Sequence, residues 1–255
     1  MLEFAPHTIT FAKRDVLYAP IQPKRPDAPT ALIVGAHPDD ETMAEGVDDT
    51  LIAAGVNVIY VDLTLGEARN LPNYTPTTLA QQRWKESIAA IMGKGGKELY
   101  NAQIPDSNVS QHYETGVVVL NEIVTYIKPT IILAPHHGDP HPDHAATYAI
   151  TREAAQTTPL YATDTITGKD KQGRLIRPTH YVALSKETNR KRNEGYLAHA
   201  TQVVNLPTEQ EDQEKDAVLA MTRRRGREIG VDYAGAVIFT SGSHDPLQQL
   251  LGNAL

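Results

Sequence analysis

Ala31-Leu32-Ile33-Val34-Gly35-Ala36-His37-Pro38-Asp39-Asp40-Glu41 opens as an uninterrupted apolar run and closes on an imidazole followed by carboxylates. The run reads as a β-strand and the polar cluster as the loop at its carboxyl end. An open α/β sheet gathers its functional groups at such strand ends, so the cluster is placed for chemistry rather than for packing. About a hundred residues on, the pattern recurs. Thr130-Ile131-Ile132-Leu133-Ala134 is a second apolar run, and Pro135-His136-His137-Gly138-Asp139-Pro140-His141-Pro142-Asp143-His144 follows it directly. Two histidines and a carboxylate drawn from two strand ends make the open three-ligand site that catalytic zinc prefers, with one position left for water. The sequence points to a metallohydrolase.

The remaining segments suit that frame. Residues 19–29 hold four prolines and no periodic pattern, so residues 1–29 are expected to be an extended lead-in and residues 30–255 a single domain whose core begins near Thr30. Residues 42–54 are spaced as a helix stopped by Gly55, and 56–65 as a second parallel strand ending in Gly66-Glu67-Ala68-Arg69. Helical spacing returns over 78–92, with Trp84, Ile88 and Ile91 on one side and Arg83 and Glu86 on the other. Residues 98–104 form a short strand leading to the loop Ile104-Pro105-Asp106-Ser107, and 117–127 and 144–155 are helical. Residues 157–178 read as a polar excursion or hairpin, 180–184 as a late strand, 209–230 as a charged helix and 231–240 as an edge strand. The alternation predicts an α/β fold: a Rossmann-like, mostly parallel, doubly wound sheet with helices on both faces.

Composition narrows the chemistry. A chain of 255 residues, 40% hydrophobic, can bury one sizeable core. Its net charge of −7 argues against a nucleic-acid partner and favours a small-molecule substrate. With no cysteine, a metal must be held by nitrogen and oxygen ligands. No run approaches the roughly 20 apolar residues of a membrane helix, and no basic start precedes an apolar core, so no membrane partner and a cytoplasmic location are expected. The oligomeric state stays open, with a homo-oligomer among the options.

The carboxylates of the first loop could simply cap a helix, since Asp and Glu favour its first turn and proline its first position. Capping leaves His37 and the whole second cluster unexplained. Together the two motifs resemble the PIG-L/LmbE-like N-deacetylase family, whose members remove acetyl groups from N-acetylglucosamine-type substrates. The match is strong over residues 30–155 and loose beyond. The resemblance implies one zinc ion per chain bound by His37, Asp40 and His144, with Asp39 as general base and His141 as acid or oxyanion stabiliser. It further implies that Asp143 orients His141 and that Glu41 lies behind the ligands. A small amino sugar or glycoside is the implied substrate. A larger acyl or thiol conjugate, or a non-catalytic sugar- or nucleotide-binding domain, is the alternative. The first loop lacks the Gly-x-Gly-x-x-Gly that cradles a pyrophosphate and puts carboxylates in its place.

Outside the clusters, Arg69 is similar to the family's substrate-side loop residue and could bind sugar hydroxyls, a surface arginine being the other reading. Asp106 is either a pocket residue or a turn aspartate. Arg83 and Glu86 are read first as a helix-surface pair. Arg223-Arg224-Arg225 and Arg227 are read as a solvated helix face, and His180, His199 and His244 as lone surface or packed residues.

Overall fold

The computed structural model describes residues 7–11, 14–203 and 209–252. Along the chain these form β1 (His7–Phe11), β2 (Arg14–Pro20), β3 (Thr30–Gly35), a 3-10 turn (Asp40–Ala44), α1 (Val47–Ala53), β4 (Asn57–Asp62), α2 (Pro76–Lys94) and β5 (Glu98–Asn101). A second 3-10 turn (Val109–His112) leads into α3 (Tyr113–Ile127), β6 (Ile131–Ala134), α4 (Pro142–Ala154), β7 (Leu160–Thr163) and β8 (His180–Ala183). The chain continues through α5 (Lys186–Ala198), α6 (Ala200–Val203), α7 (Glu209–Ile229), β9 (Ala234–Ser241) and α8 (Leu247–Leu251).

Among the described residues the strands make one nine-stranded sheet, ordered β1-β2-β5-β4-β3-β6-β7-β9-β8. The inner strands β5, β4, β3, β6 and β7 are parallel, and β2, β1, β9 and β8 add antiparallel pairings at the two sides. The sheet is therefore mixed, where the sequence led us to expect a mostly parallel one. Strand β3 sits at its middle because both its faces are covered. Leu32 and Val34 pack with Leu120 and Ile123 of α3 and Ile150 of α4. The alternate residues Ala31 and Ile33 pack with Leu51 of α1, Trp84 and Ile88 of α2, and Leu247 of α8. Burying each such aliphatic side chain contributes about 1.5–3 kcal/mol, which fixes the register of the central strands.

Several expectations are corrected. The core does not begin at Thr30, since β2 pairs with β5 and its Val16 is fully buried. Residues 1–6, 12 and 13 of the expected lead-in lie outside the described residues. The helix expected over 42–54 is broken at Glu45 and Gly46, both with positive φ. Within the 157–178 excursion lies a sheet strand, β7, and β9 is an interior strand between β7 and β8 rather than an edge. No helix of the described residues is long and apolar enough to cross a membrane.

Strand order reverses beside β3: the chain runs outward through β4 and β5 and returns to β6 on β3's other side. Loops from adjacent parallel strands splay apart at such a point and leave a crevice. The two histidine-containing loops leave β3 and β6 there, with Ile33 paired to Leu133.

Candidate active site

The first loop is folded around Asp40. Its Oδ2 accepts the backbone N–H groups of Ala36 at 2.7 Å and His37 at 3.0 Å, turning the chain sharply at the strand end. Gly35 is needed there, because a Cβ would meet the Asp40 Cβ at 2.8 Å. Asp39, next in the turn, has φ of 103°, a strained conformation for a residue with a side chain. In the second loop, Asp139 Oδ1 accepts the His141 N–H at 2.8 Å. His141 then caps α4, its Nδ1 accepting the Asp143 N–H at 3.3 Å, with Pro142 in the first turn. His144 follows three residues later on the same side of the helix.

The two loops bring the imidazoles together. Ring centroids lie 4.9 Å apart for His37 and His141, 4.7 Å for His141 and His144, and 5.4 Å for His37 and His144. Ligand atoms of these three residues fall within 4.8 Å of one another, as do those of His37, Asp106 and Asp143. Asp40 spans the gap: Oδ1 is 3.2 Å from His144 Nε2, and Oδ2 is 3.7 Å from His37 Nδ1. The outer nitrogens also face carboxylates. His37 Nε2 lies 3.1 Å from Asp106 Oδ1 and 3.3 Å from Asp143 Oδ2, and His144 Nδ1 lies 3.2 Å from Asp139 Oδ2. A carboxylate behind an imidazole fixes the tautomer and turns the other nitrogen's lone pair inward. Here both inner nitrogens turn toward Asp40.

The electrostatics follow from this packing. Burial opposes charge on His37, but its bonds to Asp106 and Asp143 and the charge of Asp40 prevail and raise its pKa to about 9. His144 is raised well above the ordinary histidine range by Asp40 and Asp139 against the same opposition. Asp40 goes the other way, held below the usual carboxylate range by His144 and His37 despite burial. Burial, then the charge of Asp40, pushes Asp39 up to about 7. His141 is lowered by burial and by the two imidazoles beside it.

One expected role is overturned. The Asp143 carboxylate rests on His37 Nε2 and the Val109 N–H, not on His141, to which Asp143 offers only its backbone N–H. Since His141 Nδ1 accepts that bond, its neutral ring carries the proton on Nε2. Glu41 accepts from His199 Nε2 at 2.8 Å, both side chains being buried. The lone histidine His199 thus ties the first loop to the end of α5. His180 pairs with Asp245 at 2.9 Å, and His244 stands beside Ser243.

A cavity of about 310 Å³ opens over the cluster. His37, Asp39, Asp40, His141 and His144 form its floor, and Arg69, Arg83, Asp106 and Ser107 one wall. Asp106 holds the wall together: Oδ2 accepts the Ala68 N–H at 2.9 Å while Oδ1 faces His37. Arg83 is buried, not a surface residue of α2. Its Nη1 donates to Gly66 O, while Nε and Nη2 have no hydrogen-bond partner among the described residues. Glu86 likewise turns inward, accepting from Thr201 Oγ1 at 2.6 Å. Another part of the lining is apolar and comes from late sequence: Ile166, Tyr196 and Val218, packed with Met43. Sequence reading missed these residues, because walls built from an irregular loop and two charged helices leave no periodic trace. The expected solvated arginine face is corrected as well. Arg223 and Arg227 point outward, but Arg224 and Arg225 grip Asp164, each at 2.7 Å, and Arg224 also holds Ile166 O. They anchor the loop that brings Ile166 to the apolar wall.

The donor set suits a divalent cation: imidazole nitrogens and carboxylate oxygens converge at one place, no thiol is present, and the carboxylates bring excess negative charge. Comparison with known proteins identifies the family. Residues 32–155 match the family described as GlcNAc-PI de-N-acetylase, PIG-L. A probable N-acetyl-alpha-D-glucosaminyl L-malate deacetylase 2 from Bacillus anthracis is 32% identical over 204 residues, covering 73% of this chain and 87% of that protein. Among solved structures, the N,N'-diacetylchitobiose deacetylase from Pyrococcus horikoshii superposes with a TM-score of 0.69 at 20% identity, over 85% of each chain. The 4-carboxy-2-hydroxymuconate hydratase GalB from Pseudomonas putida KT2440 superposes with 0.68 at 18% identity, over 85% of this chain and 99% of that one. The same fold thus carries a hydratase as well, and fold alone does not choose the reaction. Sequence similarity across most of both lengths, together with a family match spanning both histidine-containing loops, decides it: the chain belongs to the PIG-L family and is a hydrolase of its deacetylase type.

Proposed function

We propose that the protein is a zinc-dependent N-deacetylase acting on an N-acetylglucosamine conjugate, working as a single domain with a Rossmann-like centre. The observation that carries this reading is the pair of imidazoles backed by carboxylates and turned toward Asp40, with Asp39 beside it. His37, Asp40 and His144 would hold one zinc ion per chain, which when bound supplies a Lewis acid and lowers the pKa of water toward about 7. Asp39, on the cavity floor beside Asp40, is placed to take a proton from attacking water. His141, with its proton on Nε2, faces the cavity from the opposite loop and can donate to the developing oxyanion or to the leaving amine. Arg83 and Asp106 line the wall as donor and acceptor for sugar hydroxyls, and Arg69 borders them.

The test is acetate release from N-acetylglucosamine derivatives by zinc-free, zinc-restored and Asp39→Asn protein. Zinc-dependent turnover is expected, with Asp39→Asn keeping its zinc and losing about 10²–10⁴-fold in kcat. Turnover unchanged in Asp39→Asn would remove the general-base role. A second reading, hydrolysis of a larger acyl amide, is favoured by the apolar wall of Ile166, Tyr196 and Val218. N-propionyl and N-hexanoyl analogues decide it, since this reading requires them to be cleaved faster than the acetyl compound.

A further inference from the structure

Asp39 takes its direction from its backbone. Its φ of 103° is unfavourable for a residue with a side chain, and that side chain makes no capping bond to its own turn. A residue keeps such a conformation only where the surrounding structure leaves it no other. On the side toward β3 the anchor is Asp40 Oδ2, which accepts the Ala36 and His37 N–H groups. On the far side the turn closes when Thr42 N donates to Asp39 O at 3.0 Å. What holds that far side comes from α5 and the residue that ends it. Thr42 O accepts from Arg192 Nη2 at 3.2 Å, and Glu41 Oε1 accepts from His199 Nε2 at 2.8 Å.

The two links differ in kind. Arg192 also donates to Val218 O, so it joins one stretch of backbone to another. His199 joins side chain to side chain and is wholly enclosed. Its Nδ1 has no hydrogen-bond partner among the described residues, so the bond to Glu41 orients the ring. An apolar pair would fill the same space without loss of solvation, but it would fix neither distance nor direction; a hydrogen-bonded imidazole and carboxylate fix both. His199 also stands at a corner of the cavity. Its N–H donates to Tyr196 O at 3.1 Å and its carbonyl accepts from Gln202 N at 2.8 Å, and both of those residues line the cavity, which His199 itself does not.

Resting on the reading of Asp39 as general base, we infer that His199 is a positioning residue: through Glu41 it holds the turn that aims Asp39 into the cavity. It reaches the reaction only through that turn.

The experiment compares wild type, His199→Phe and His199→Gln, all zinc-loaded, on an N-acetylglucosamine derivative. Phe keeps a ring without a donor, whereas Gln places an amide nitrogen near the former Nε2. His199→Phe is expected to keep its zinc and its KM while kcat per bound zinc falls about 10–100-fold, the scale of a misplaced catalytic group, and His199→Gln to recover most of that loss. Hydrogen exchange supplies a readout that needs no substrate. The Thr42 amide, bonded to Asp39 O, is expected to exchange about tenfold faster in His199→Phe and near the wild-type rate in His199→Gln. Should His199→Phe not fold, His199→Asn, whose amide falls short of Glu41, carries the same expectations. An unchanged kcat per zinc, an equal loss in the Phe and Gln variants, or a loss confined to KM would overturn the inference. If wild type cleaves no N-acetyl compound, the deacetylase reading fails separately, and the exchange comparison still decides whether His199 holds the turn: equal Thr42 rates in wild type and His199→Phe would show that it does not.

Discussion

His37 is held from both ends, by Asp106 and Asp143 at Nε2 and by Asp40 at Nδ1, so its neighbours decide how well it can serve as a ligand. Asp143→Asn is expected to lower zinc affinity about 10–100-fold, the usual consequence of removing a carboxylate behind a ligating histidine. Competition with a chelator measures this. Intact affinity with a reduced kcat would return Asp143 to the role of orienting His141. Gly66, with φ of 67°, is equally specific, since a Cβ would come within 2.0 Å of Arg83 Nη1. Gly66→Ala is expected to cost more than about 1 kcal/mol through backbone conformation alone and to raise KM by displacing Arg83. An unchanged KM would show that Arg83 takes no part in substrate binding.

Helices α1 and α2 meet through buried charge rather than through apolar contact alone. Lys94 Nζ lies 2.5 Å from Asp48 Oδ2 and 3.4 Å from Asp49 Oδ2, and Tyr60 donates to Asp48 at 2.9 Å, all within the core. Removing the cation strands the carboxylates, so Lys94→Met is expected to destabilise the protein by about 3–5 kcal/mol, read from urea unfolding. A loss below about 1 kcal/mol would mean that the buried carboxylates do not depend on their cation. Such polar interiors also explain what the sequence left unread. Strands β3, β4 and β6 are legible as apolar runs because helices cover both their faces. Helix α5 buries Asn189, Arg192 and Tyr196, and its sequence therefore carries no apolar stripe. Arg192 is enclosed because it donates to Val218 O at 2.8 Å and Thr42 O at 3.2 Å, partners far away along the chain. Strand β7 is four residues long between turn-forming neighbours and takes its identity from pairing with β6 and β9. In the site, the motif residues were legible because chemistry restricts them to His and Asp. Arg83, Gln202 and the apolar wall were not, because ordinary residues acquire those roles only through tertiary position.

At the scale of the whole molecule, buried carboxyls make stability depend on pH in two opposed directions. Burial and the nearby Asp164 push Glu45 up to about 8 against the pull of Arg224 and Arg225. Between its ordinary value near 4.5 and 8, the unfolded chain releases this proton while the folded protein keeps it, so stability falls as pH rises through that window. Asp106, lowered to about 2 mainly by its bond to His37 against burial, stabilises above its ordinary value near 3.8 and loses that contribution as pH falls toward 2. The urea midpoint is expected to decline from pH 5 to pH 8, and Glu45→Gln to flatten the decline; equal slopes in both proteins would exclude Glu45 as its source. The place of β9 carries a different consequence. It is the last strand in sequence among the described residues, yet it is inserted between β7 and β8, for which the described residues show no direct pairing with each other. A ribosome must therefore deliver the chain through Ser241 before this side of the sheet can close, and until then β7 presents an open hydrogen-bonding edge to any passing strand. Chains halted just before residue 234 should aggregate on release, while only a few dozen further codons convert the same nascent protein into one that can finish folding.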